Sequence, residues 1–123
     1  MKRASDVFHM TSDKQWEDLG GGIRRQILGW DNQIMMVKIA FDKGGVGPPH
    51  QHFHTQTTYC LQGKFEFTVD GEMKIIREGD ALYIAPSLIH GAVCIEAGML
   101  IDVFSPVRED FLDGTKSTYL GQK

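Results

Sequence analysis

Three of the chain's five histidines fall within five residues, in the stretch GPPHQHFHTQTTYCLQG from 47 to 63. His50, His52 and His54 stand at i, i+2 and i+4, a spacing that gathers side chains on one face of a strand and scatters them around a helix. Imidazole is a versatile ligand for divalent transition metals, and an ion needs several donors converging on one point. On a strand His50 and His52 point the same way. Gln56, four residues beyond His52, keeps their parity and offers an amide oxygen. A further donor must come from a neighbouring strand, and His90, after the strand-and-turn pattern GDALYIAPSLI, is the candidate. His50, His52, Gln56 and His90 are the candidates for one metal set holding a single divalent ion, against the plainer reading of each histidine as a packing or surface residue. Three imidazoles and an amide accept nickel, zinc, iron, manganese or cobalt, so the metal stays open. Simple parity turns His54 inward with the others, whereas a bulge or turn would release it.

A second group lies far along the chain, in MLIDVFSPVRED. Met99, Ile101 and Val103 share one strand face; Leu100, Asp102 and Phe104 share the other. If the first face packs the core, Asp102 meets solvent. If the second does, a carboxylate sits between apolar neighbours, where burial raises its pKa and a nearby cation lowers it, a balance suited to moving protons. Arg108, past Pro106, reads as a surface arginine at the rim, or as a bidentate grip on a carboxylate ligand. Phe104 is either core or a wall for a flat ring. Tyr59, Met36 and Trp30 are further residues that either line the cavity or pack in the core.

The elements that must position these groups are short. GGIRRQILGW is bounded by glycines, and IMMVKIAFDKGG puts Met35, Val37, Ile39 and Phe41 on one face before a glycine turn. GKFEFTVDGE alternates, with Phe65, Phe67 and Val69 on one side, and its Asp70-Gly71 pair is a strong hairpin signal. EMKIIR returns; REGDALYIAPS, HGAVCIEAG and MLIDVFSP add three more strands. Only SDKQW and REDFLDG have helical character. Many short strands with turn chemistry between them predict an all-β sandwich or barrel, here a single domain over 1–123.

Composition excludes several classes. The chain has 123 residues, 41% of them hydrophobic and 24% charged, as in ordinary globular domains. With a formal charge of −3 and no basic stripe beyond Arg24-Arg25, nucleic acid is not an expected partner. No apolar run spans a bilayer and the N-terminal stretch carries no export signal, so a cytoplasmic protein without a membrane partner is expected. Cys60 and Cys94 lie in apolar stretches and are expected to pack as small hydrophobes.

His50-x-His52-x3-Gln56-x6-Gly63, followed by Gly79-Asp80, Pro86 and His90, resembles the two cupin motifs, G-x5-HxH-x3,4-E-x6-G and G-x5-PxG-x2-H-x3-N. Gln56 stands where many cupins carry glutamate, Ser87 replaces a glycine, and Val93-Cys94 occupies the place of the final asparagine. WEDLGGGIRRQILG, MMVKIAFDKGGVGPPH, GKFEFTVDGE, HGAV and LIDVFSPVREDFL extend the likeness over about residues 16–112 to small single-domain cupins of the pectin-degradation type. The resemblance implies a cupin double-stranded β-helix, or jelly-roll barrel, at about 30–106, with short helical turns at the termini. It also implies a homodimer. It passes over His54, which then supports the site or lines its pocket. It gives Asp102, Arg108 and Phe104 catalytic or substrate-contacting roles and implies an isomerase or tautomerase acting on a small anionic sugar. That sugar is a 4,5-unsaturated monouronate from pectin or alginate lyase action, converted to a linear 4-deoxy-5-keto-uronate. A neutral glutamine leaves the ion's charge undiminished for an anionic substrate. The competing readings are an Fe(II)-dependent cupin dioxygenase and a non-catalytic cupin that binds sugars or small acids.

Overall fold

The computed structural model describes residues 3–113. Where side chains alternate, strands form as the pattern demands. In β3 (Met35–Phe41) Met35, Val37, Ile39 and Phe41 are all buried, while Met36 is exposed. On one side β3 pairs antiparallel with β2 (Ile23–Trp30), which pairs in turn with β1 (Glu17–Gly20). On the other side it pairs with β8 (His90–Ser105), which also pairs with β5 (Thr55–Val69) and β4 (Val46–His50). Beyond β5 lie β6 (Glu72–Arg77) and β7 (Ala81–Ile84). The result is one eight-stranded antiparallel sheet, ordered β1-β2-β3-β8-β5-β6, with β4 and β7 attached to β8 and β5.

The Asp70-Gly71 pair closes the β5–β6 hairpin with both residues at positive φ, 50° and 84°, as a tight turn between twisted strands requires. HGAVCIEAG and MLIDVFSP, read as two strands, are joined in β8, and GKFEFTV is the second half of β5. Both long strands bend where Gly63 meets Gly98: the β5–β8 register slips between Cys60 and Phe65. Gly63 has φ +92°, and a Cβ there would lie 2.6 Å from the Gly98 Cα. Glycine at 63 is thus a packing requirement, which lets one strand pair serve two parts of the barrel wall.

The inner face carries Ile23, Val37, Ile39, Phe65, Leu100 and Phe104, all buried, with the Phe41 and Phe65 rings edge to face at 5.2 Å. Each fully buried side chain of this kind contributes roughly 1.5–3 kcal/mol relative to exposure. Cys60 and Cys94 are free and buried in this core. SDKQW, expected to be helical, yields only a 3-10 turn, Thr11–Asp13. REDFLDG yields α1 (Glu109–Leu112), a single turn whose Phe111 is buried; Gly114 lies outside the described residues.

Candidate metal centre

β4 ends at His50, which is the register partner of His90 at the start of β8, and the two rings lie 4.4 Å apart. Strand parity therefore does not place His52, contrary to the reading of the sequence. His52 sits in the short connection between β4 and β5, past Pro48-Pro49 and the slip in the β4–β8 register between Gly47 and His50. A backbone contact holds it: the Ser87 N–H donates to the His52 carbonyl at 2.7 Å. Ser87 has φ +68°, which explains why glycine is usual at that place in the motif. The His52 ring is thereby held 5.7 Å from His50 and 5.0 Å from His90, and one nitrogen from each of the three lies within 4.8 Å of the others.

Local bonds set how the rings present themselves. Nδ1 of His50 donates to the Pro48 carbonyl at 3.0 Å, and Nδ1 of His90 to the Leu88 carbonyl at 2.9 Å. Both rings then carry their lone pair on Nε2, the arrangement that orients a metal-binding imidazole. Among the described residues, Nε2 of His90 is buried without a hydrogen-bond partner. Such an orphaned atom is costly unless something accepts its lone pair. Gln56, buried on β5, brings Oε1 within 3.0 Å of His52 Nε2. That separation serves a hydrogen bond, and it also matches neighbouring donors on an ion with bonds of about 2.1 Å. His50, His52, Gln56 and His90 thus fit a divalent ion.

The electrostatics favour neutral imidazoles. Burial, with the Arg108 charge and the His90 and His50 rings behind it, lowers the His52 pKa from 6.5 to about 3. Burial lowers that of His90 to about 4, with His50 and Arg108 acting in the same direction against the bond to Leu88. Metal ligands must be deprotonated, so these shifts suit the site.

On β8, Leu100, Asp102 and Phe104 face inward, and Asp102 is only 4% exposed. Of the two readings of that strand, the interior carboxylate is the one observed. A small pocket is lined by His50, Gln56, His90, Asp102, Phe104 and Arg108 among others. Thr58, two residues after Gln56 on β5 and opposite Asp102 in register, donates to Asp102 Oδ1 at 2.6 Å and accepts from Gln56 Nε2 at 2.9 Å. Sequence reasoning missed Thr58, although its parity with Gln56 was there to be used.

Arg108 is not a rim residue; it is 2% exposed. Its Nε and Nη2 donate to the two Asp110 oxygens at 3.0 and 2.9 Å. Its guanidinium carbon lies 4.2 Å from the Phe111 ring centre and 5.0 Å from that of Phe104. Asp110 and Phe111 are the supports the sequence reading did not single out. His54 is buried but is not one of the converging three. Its ring stacks on Phe53 at 4.0 Å, meets His52 edge-on at 5.3 Å and bonds to the Val107 backbone. Tyr59 and Met36 do not line the cavity: they are 46% and 41% exposed, on the outer faces of β5 and β3. The alternation that buries Gln56 and Val37 turns these neighbours out. Trp30 packs against the core instead.

An all-β barrel with a histidine triad at its mouth and donors from β4, β5 and β8 defines a class, and comparison with known proteins agrees. The cupin-domain family matches residues 37–104, and the chain belongs to the cupins. Within them it is a small cupin of the pectin-degradation, or KdgF, type. It is 43% identical over 107 residues to the pectin degradation protein KdgF of Dickeya dadantii (strain 3937), covering 85% of this chain and 97% of that protein. A RmlC-like cupin from Shewanella frigidimarina NCIMB 400 superposes with a TM-score of 0.88 at 45% identity, covering 89% and 99% of the two chains. KdgF from Halomonas sp. gives 0.83 at 38% identity, covering 87% and 99%.

Proposed function

We propose that the protein is a metal-dependent isomerase that opens 4,5-unsaturated monouronates to linear 4-deoxy-5-keto-uronates. One observation carries the reading: the buried Asp102 carboxylate lines the same pocket as His50, Gln56 and His90. The kinship with a pectin degradation protein supports a substrate of that origin. His50, His52, Gln56 and His90 hold a divalent ion, which supplies Lewis acidity toward the sugar's oxygens when bound. Asp102 takes the proton from the ring hydroxyl as the hemiacetal opens and returns one to carbon as the enol becomes a ketone; no electrons are gained or lost. Arg108, braced by Asp110, keeps its Nη1 edge for the substrate carboxylate. Phe104 lies under the ring.

The test is the loss of the conjugated double bond's absorbance when purified, metal-loaded protein meets unsaturated monouronates. A rate equal to the spontaneous one rejects the assignment, and stoichiometric oxygen uptake would move it to the dioxygenase reading. For a partner we propose a second copy of the chain. Met36, Tyr59 and Tyr83 stay exposed on strands β3, β5 and β7, an apolar outer face suited to self-association. A monomeric mass by light scattering would overturn it.

A further inference from the structure

We propose that Thr58 is the positioning residue that fixes Gln56 toward the metal site and Asp102 toward the substrate, and that it is the reason position 56 carries an amide. The inference rests on the metal and carboxylate roles proposed above. His52, Gln56, Thr58 and Asp102 form a chain of three contacts at 3.0, 2.9 and 2.6 Å. Thr58 is 2% exposed, so no water competes for its hydroxyl.

A hydroxyl has one proton to give. The 2.6 Å contact to Asp102 has the length of a charge-assisted O–H···O bond, so the proton points to the carboxylate. The Thr58 oxygen must therefore accept from position 56, and only the N–H side of the Gln56 amide can donate to it. The amide cannot then flip, and Oε1 is turned to His52 and the triad. A glutamate in the same place would have no proton for Thr58. Two carboxylates would contend for one hydroxyl, and either Gln56's successor or Asp102 would lose its fixed direction. Serine keeps this polarity; valine, with nearly the same shape, removes it.

The experiment titrates chelator-treated protein with Co(II), followed by its visible ligand-field absorption. Outer contacts of this kind are worth about 10- to 100-fold in metal affinity. Thr58→Val should weaken Co(II) binding about tenfold or more and shift the absorption band, while Thr58→Ser stays within about twofold of wild type. In a Gln56→Glu background, adding Thr58→Val should cost less than about threefold, because the amide contact is already gone. Thr58→Val binding like wild type with an unchanged band overturns the inference. So does Thr58→Ser losing as much as valine, or equal losses in both backgrounds. If Thr58→Val does not fold, Thr58→Ala is read against Thr58→Ser by the same criteria. Wild type that takes up no Co(II) defeats the metal reading itself, a result distinct from uptake that ignores Thr58.

Discussion

Gly63 and Gly98, on neighbouring strands, touch backbone to backbone at the bend of β5 and β8. A Cβ on Gly63 would stand 2.6 Å from the Gly98 Cα and 2.8 Å from the carbonyl oxygens of Glu96 and Ala97, none of which can rotate away. Gly63→Ala should therefore cost about 2–4 kcal/mol, combining overpacking with an unfavourable positive φ. Urea unfolding measures it; a loss under about 0.5 kcal/mol would contradict the packing account.

Asp102→Asn keeps the side chain's shape and still accepts the Thr58 hydroxyl, so folding and metal content should hold. Proton transfer should not. The turnover of unsaturated uronates should fall about 100-fold or more, as for removal of a general acid–base. Retention of more than about a tenth of wild-type kcat would take Asp102 out of the reaction.

Arg108→Lys keeps the charge and discards the fork. One ammonium cannot hold both Asp110 oxygens and also present a planar edge to a substrate carboxylate. KM for the uronate should rise about tenfold or more with kcat changed less, and the lost charged bonds should lower stability by about 1–3 kcal/mol. Unaltered KM, measured under saturating metal, would count against the carboxylate grip.

Stability should fall on acidification in the metal-free chain. His52 and His90 accept a proton near 6.5 when unfolded but only at about 3 and about 4 when folded. Between those limits the unfolded chain binds more protons, so their contribution is intact above 6.5 and is lost as the pH drops toward 4. Urea midpoints from pH 7.5 to 4.5, in chelator, should decline, and His90→Gln should flatten the curve. A wild-type midpoint constant across that range would show that these rings are solvated.

Much of the architecture was legible because side-chain alternation is a local signal. Met35 to Phe41 and the Asp70-Gly71 hairpin read correctly from a few neighbours. The triad was legible because His50, His52 and His90 are chemically distinctive. His52 reached the site by another route than the strand parity supposed, through a backbone bond from Ser87 across a sequence gap. Where contacts were long-range, the reading stopped. Nothing near Arg108 indicates that it is buried against Phe111, or that Asp110 turns back to hold it. Tyr59 and Met36 show the opposite lapse: local parity already pointed them outward. Thr58 had no chemistry of its own to attract attention until Asp102 lay opposite.

His50 closes β4 and His90 opens β8, and the chain between them includes all of β5, β6 and β7. An ion gripped by both would act as a clasp around more than a local turn. Its affinity and the folding equilibrium would become a single linked quantity, since the unfolded chain holds these donors far apart. A chelator would lower the melting temperature, and a destabilising change at a distant bend would loosen the ion without touching any ligand.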